Sequence, residues 1–115
     1  MNIEELREFC IRFKGVTEET PFGPDNLVYK VMGKMFALLP LDSELPQITL
    51  KNTPEKNEIL RSEFAFITTA YHFNKVHWIS IQNTSKNSTL TRQLITESYE
   101  LVKRGLPKKL QAGLE

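Results

Sequence analysis

Leu27-Val28-Tyr29-Lys30-Val31-Met32-Gly33-Lys34-Met35-Phe36-Ala37-Leu38-Leu39 is the stretch from which the fold follows. Its halves, Leu27–Met32 and Met35–Leu39, are short β-rich runs joined by Gly33-Lys34. Two such runs around a two-residue link with Gly in first place predict an antiparallel hairpin with a type II′ turn. Downstream, Gln47–Lys51 alternates, with Ile48 and Leu50 on one side and Gln47, Thr49 and Lys51 on the other. That period of two predicts a third strand in an antiparallel sheet covered on one face and open to solvent on the other.

Working outward, Phe64–Thr69 reads as a short strand, and His77–Gln82 as another in which Ile79 and Ile81 alternate with Trp78, Ser80 and Gln82. The sheet therefore has about five strands. Upstream, Ile3, Leu6, Phe9, Cys10 and Phe13 recur at helical spacing, which predicts a helix over Ile3–Lys14 that stops at Gly15. Thr53-Pro54 pairs an N-cap with Pro at the first helical position, so a short helix runs from Pro54 to about Glu63, anchored by Ile59 and Leu60. A last helix, Thr89–Arg104, buries Leu90, Leu94, Ile95, Leu101 and Val102, with small Ser98 in mid-stripe, and ends at Gly105. No repeat or linker divides the 115 residues, so residues 1–115 form one domain. The fold class is α+β: an antiparallel sheet packed on one face by the N- and C-terminal helices, with a short middle helix.

Hydrophobic residues at 40% and charged residues at 25% are ordinary globular values and exclude disordered and fibrous classes. The first residues are acidic where a secretory leader would be basic, and the longest apolar run, Met35–Leu41, is interrupted by Pro40. A cytoplasmic protein with no membrane partner is expected. The lone Cys10 sits on the apolar stripe of the first helix, which predicts a buried, inert thiol. The net charge of +1 is small, but its distribution is uneven. Residues 1–26 carry six acids against three bases, whereas residues 64–96 carry no acid and the bases Lys75, Lys86 and Arg92. Lys103, Arg104, Lys108 and Lys109 follow, so an acidic end and a basic region are expected.

Several segments, in this order, match a known family: Pro21-Phe22-Gly23-Pro24-Asp25, Lys30–Ala37, Thr49-Leu50-Lys51, Tyr71-His72-Phe73-Asn74-Lys75, His77-Trp78 and Leu106-Pro107-Lys108-Lys109. Over nearly its whole length the chain resembles MmcQ/YjbR-like proteins. The resemblance implies a CyaY-like α+β fold and a DNA-binding role through a double-wing arrangement. It brings no enzymatic activity, substrate or cofactor.

The residues themselves offer two places for such a role. Lys30, Thr49, Lys51, Trp78, Ser80 and Gln82 share one sheet face if the strands pair as their alternation suggests, a platform for phosphates and a stacked base. The same set also reads as a solvated face with lysines that discourage edge pairing. Tyr71–Trp78 gathers two imidazoles, an amide, an ammonium and large aromatics within one short run. There Lys75, His72 and His77 suit phosphate and Asn74 suits a base edge or sugar; equally, His72 and Asn74 suit backbone hydrogen bonds within a loop. Lys34, Lys108 and Lys109 complete the nucleic-acid-binding set. The alternative partner is another protein or a second copy of the chain, anchored by Tyr71, Phe73 and Trp78.

Metal and catalysis find little support. His72 and His77 lack a sulfur or carboxylate partner nearby, and Glu4, Glu5 and Glu8 on the first helix are interrupted by Arg7. Gly33-Lys34 is followed by a strand where a phosphate loop needs a helix, and no serine or cysteine nucleophile has a base at motif spacing. Asp42 and Glu44 form a lone acidic pair. No catalytic residue, metal or cofactor is expected, and the chain is expected not to be an enzyme.

Overall fold

The structure, a computed structural model, describes residues 1–70 and 73–114. Along the chain come α1 (Ile3–Ile11), β1 (Val16–Glu19), β2 (Asn26–Val31), β3 (Lys34–Pro40), β4 (Ile48–Lys51), α2 (Pro54–Glu63), β5 (Ile67–Thr69), β6 (Trp78–Ile81), a 3-10 turn (Thr84–Lys86), α3 (Ser88–Arg104) and α4 (Lys108–Ala112). The described strands form one antiparallel sheet in the order β1-β2-β3-β4-β6-β5. Helices α1 and α3 cover one face, so the α+β architecture read from the sequence is the one adopted.

α1 starts with a capping box: the Asn2 side chain accepts from the Glu5 amide and the Glu5 carboxylate accepts from the Asn2 amide. It ends at Ile11, one turn before the expected Lys14. The reason is tertiary, since Phe13 leaves the helix path to stack on Tyr99 at 4.6 Å between ring centroids, and Tyr99 donates its hydroxyl to the Lys14 carbonyl at 2.7 Å. Phe36 meets both rings edge-on, which makes Phe13, Phe36 and Tyr99 the centre of the core. Cys10 is buried, and burial together with the Glu18 charge pushes its thiol up to about 12.

Strand β1 has no apolar alternation and was not expected; it raises the sheet from about five strands to six among the described residues. It is held by side chains instead. Glu18 accepts from the Tyr29 hydroxyl at 2.6 Å and from both Nε and Nη2 of Arg7.

The hairpin turn is shifted by one residue from the expected Gly33-Lys34. Val31 pairs with Lys34, leaving Met32-Gly33 as the loop, with φ of 49° and 87°. Two positive φ values define a type I′ turn, whose twist matches that of the flanking strands. Beyond it the register slips: Lys30 faces Met35 and Tyr29 faces Ala37, so Phe36 is an extra residue. This bulge delivers the Phe36 ring to the helix side. It also interrupts the β3–β4 ladder, whose register pairs are Ala37 with Leu50 and Leu38 with Thr49. Ser98 of α3 fills the break, donating to the Phe36 carbonyl at 2.6 Å and accepting from the Lys51 amide at 2.9 Å.

Other expectations change in detail. Leu60 anchors α2, whereas Ile59 is 52% exposed. α3 buries Thr91 and Tyr99 alongside Leu94, Ile95, Ser98 and Val102, while Leu90 and Leu101 are half-buried. α4 is too short to show a periodic stripe; Leu114 beyond it is buried against Gly15, whose φ of 79° no β-carbon favours. The second sheet face is only partly open to solvent. Val28, Leu38, Thr49 and Ser80 on it are all buried, because the chain before β2 and the β3–β4 connection fold back over the strands.

Candidate nucleic-acid interface and the adjoining cleft

The strand register gathers cations at one end of the sheet. β2 ends and β3 begins at the Met32-Gly33 turn, which places Lys34 there. Lys51 at the end of β4 is the direct partner of Trp78 at the start of β6, so both point to the second face at that same end. Lys75 and His77 lie just before Trp78. α3 runs toward this end as well: its start packs on the 3-10 turn that follows β6, and Ser98 reaches the level of Lys51. Lys103 and Arg104 therefore lie beyond Lys51, with exposed Lys108 and Lys109 following on α4. The opposite end carries Asp25, Asp42 and Glu44 in its loops.

Among the described residues, Lys34, Lys51, Lys75, Lys108 and Lys109 make no ion pair. Lys30 differs from them: it is bound to Glu19 at 3.1 Å, two strands away from Lys51, and does not join the set around Trp78. Asn74 has its side-chain oxygen occupied by the Val76 amide at 2.9 Å and the His77 amide at 3.4 Å, and these bonds shape the turn. Buried Asn57 of α2 fastens that turn by donating to the Val76 carbonyl at 3.0 Å. His77 is exposed, and its carbonyl accepts from Asn52. Trp78 is half-buried, with the Phe73 ring 5.3 Å away. His72 and Tyr71 lie outside the described residues.

Next to Trp78 the second face forms a cleft of about 740 Å³. Its floor is Leu38, Thr49 and Ser80, with the Thr49 and Ser80 hydroxyls 2.9 Å apart. Phe73 bounds one side and Phe22 the other, with Asp42 at the acidic end. Thr49, Ser80 and Gln82 were legible as a shared face from their alternation. Phe22, Asp42 and Phe73 come from connections, where no periodicity marks a residue as part of a site.

A family model described as YjbR matches residues 11–101. The chain belongs to the YjbR family. Two relatives from Escherichia coli fit this assignment, and both are named as uncharacterised proteins. YbdF is 40% identical over 92 residues, spanning 79% of this chain and 75% of its own. YjbR is 26% identical over 110 residues, spanning 95% and 93%. Among solved structures, Deinococcus radiodurans protein DR2400, a DUF419 domain, superposes with a TM-score of 0.88 at 32% identity over 98% of this chain and 87% of its own. A Pseudomonas syringae protein gives 0.74 at 27% identity, over 88% and 98%. This YjbR-family domain has no helix among the described residues long and apolar enough to cross a membrane.

Proposed function

We propose that this YjbR-family domain is a binding module for nucleic acid, DNA in the first instance, and that it works through phosphate contacts at the basic end of its sheet. The observation that carries the reading is the register pairing of Lys51 with Trp78, which sets an ammonium with no ion pair among the described residues beside an aromatic, at the end where Lys34, Lys103 and Arg104 also lie. Ammonium groups free of internal carboxylates release condensed counterions when they meet a phosphate backbone, and this release drives sequence-independent binding. Trp78 adds an aromatic surface suited to a base or sugar. The resemblance noted above points the same way. No catalytic role is part of the proposal.

The test is a titration of the labelled protein with a short mixed-sequence duplex, followed by amide NMR at low and moderate salt. Shifts should concentrate at Lys34, Lys51, Lys75 and Trp78. With three or four phosphates neutralised, log K should fall against log salt with a slope of about −3 to −4. Reversing the charge in Lys34→Glu with Lys51→Glu should abolish the shifts in a protein that still unfolds cooperatively. A silent spectrum, or binding indifferent to salt, overturns the reading.

A further inference from the structure

We propose that the cleft on the second sheet face is a separate site for a small, uncharged, flat heteroaromatic molecule bearing carbonyl and amino groups, of the nucleobase or nucleoside type. Its volume of about 740 Å³ is that of a small-molecule site. Volume alone does not choose a ligand, but the lining does.

The floor has a hydrogen-bond donor to spare. Thr49 and Ser80 are buried, at 6% and 7% exposure, and their hydroxyls bond to each other at 2.9 Å. That contact uses one hydroxyl hydrogen, yet the pair carries two, and neither side chain has another partner among the described residues. A buried donor normally finds an acceptor, and with both hydroxyls lining the cleft that acceptor is water when the cleft is empty and an occupant when it is filled. A ring carbonyl or ring nitrogen meets that need.

The walls select a ring. Phe22 is 62% exposed, unusual for so large an apolar side chain, and together with Phe73 it offers an aromatic face to an occupant. The two are carried by segments flanking β2 and β6, which are three strand spacings or about 14 Å apart, so a single ring stacks on one wall while its substituents cross the floor.

The charge of the described lining disfavours an anion. No lysine, arginine or histidine is among the described lining residues, and Asp42 is their one charged group. Among these residues a phosphate or carboxylate finds no cation to offset the water it loses, whereas an amino group gains from Asp42. The site is thus electrostatically the reverse of the basic end, and it stands whether or not nucleic acid binds there.

The experiment titrates the full chain with adenosine, guanosine, cytidine and uridine, with the corresponding 5′-monophosphates, and with a short unstructured oligonucleotide, reading amide shifts and Trp78 fluorescence. At least one nucleoside should bind at millimolar concentration or below, shifting Leu38, Thr49, Phe73 and Ser80, with little dependence on salt. Its monophosphate should bind several-fold more weakly, and Asp42→Asn should narrow that gap. Thr49→Val combined with Ser80→Ala should weaken binding roughly tenfold, the worth of one buried hydrogen bond. Phe22→Ala, on a side chain that is 62% exposed, should weaken it in a protein that still unfolds cooperatively. No cleft shifts with any nucleoside, monophosphate binding as tight as the nucleoside's, or cleft shifts with the oligonucleotide alone would each overturn the proposal. Failure of the phosphate reading instead shows as silence at Lys34 and Lys51.

Discussion

Replacing Ser98 by Ala should unfold this domain far more readily than the loss of one oxygen atom suggests. The Ser98 hydroxyl closes the gap that the Phe36 bulge opens between β3 and β4, donating to the Phe36 carbonyl at 2.6 Å and accepting from the Lys51 amide at 2.9 Å. The residue is fully buried, and alanine leaves both backbone groups without a partner. A buried carbonyl left unpaired costs about 1–3 kcal/mol, and the Lys51 amide, within easier reach of water, adds about 1 kcal/mol, for a total of about 2–4 kcal/mol. Urea denaturation followed by far-UV circular dichroism measures this directly; the midpoint should fall while the slope with denaturant stays the same. Ser98→Thr keeps the hydroxyl but crowds a packed site with a methyl group, so it should lose stability by a different route, with the amide hydrogen of Lys51 still protected from exchange. In Ser98→Ala that protection should be lost. A loss below about 0.5 kcal/mol would mean that β3 and β4 close over the gap and bond to each other, and the bridging role would be refuted.

Two further substitutions probe the sheet edge. Met32 occupies the left-handed region at φ 49° in the hairpin turn, where Asn-Gly is the favoured pair, so Met32→Asn should raise stability by about 0.5–1 kcal/mol in the same urea experiment. A midpoint equal to or below that of the parent would contradict the type I′ assignment. Glu18 gives an acid-side prediction. Burial is the largest single influence on its carboxyl and pushes the pKa up, but the hydrogen bonds from Arg7 and Tyr29 and the Arg7 charge together outweigh it and hold the pKa below the usual carboxylate range. Its ionised form therefore stabilises the fold at and above the ordinary carboxylate pKa of about 4.3, and that contribution drains away as pH falls through the lower folded value. Glu18→Gln should be less stable than the parent by a constant amount above about pH 5, with the difference shrinking below about pH 4. A difference that persists unchanged into acid would show that the carboxylate charge is not what β1 depends on.

The strand β1 shows where the sequence becomes opaque. Val16-Thr17-Glu18-Glu19 has no alternation, and its place at the sheet edge rests on Glu18 reaching Tyr29 and Arg7, partners eleven residues away on either side. The Phe36 bulge is equally silent in the sequence, since its apolar neighbours on both sides hide which of them faces the helices. Lys30 and Lys51 look alike as residues; pairing across the sheet ties the first to Glu19 and leaves the second beside Trp78.

What the chain determined by itself was local. The spacing of Leu6 and Cys10, the Thr53-Pro54 start, the Ile48/Leu50 and Ile79/Ile81 alternation and the stop at Gly105 mark elements because propensity, capping and period act within a few residues. The tertiary structure decided what those elements enclose. The second sheet face became a cleft because Phe22, Asp42 and Phe73 sit on connections that fold back over it, and the cations became one basic end because antiparallel register brings Lys34 and Lys51 to the same end of the sheet, beside Trp78. Both depend on contacts between residues distant in sequence, which no local pattern encodes.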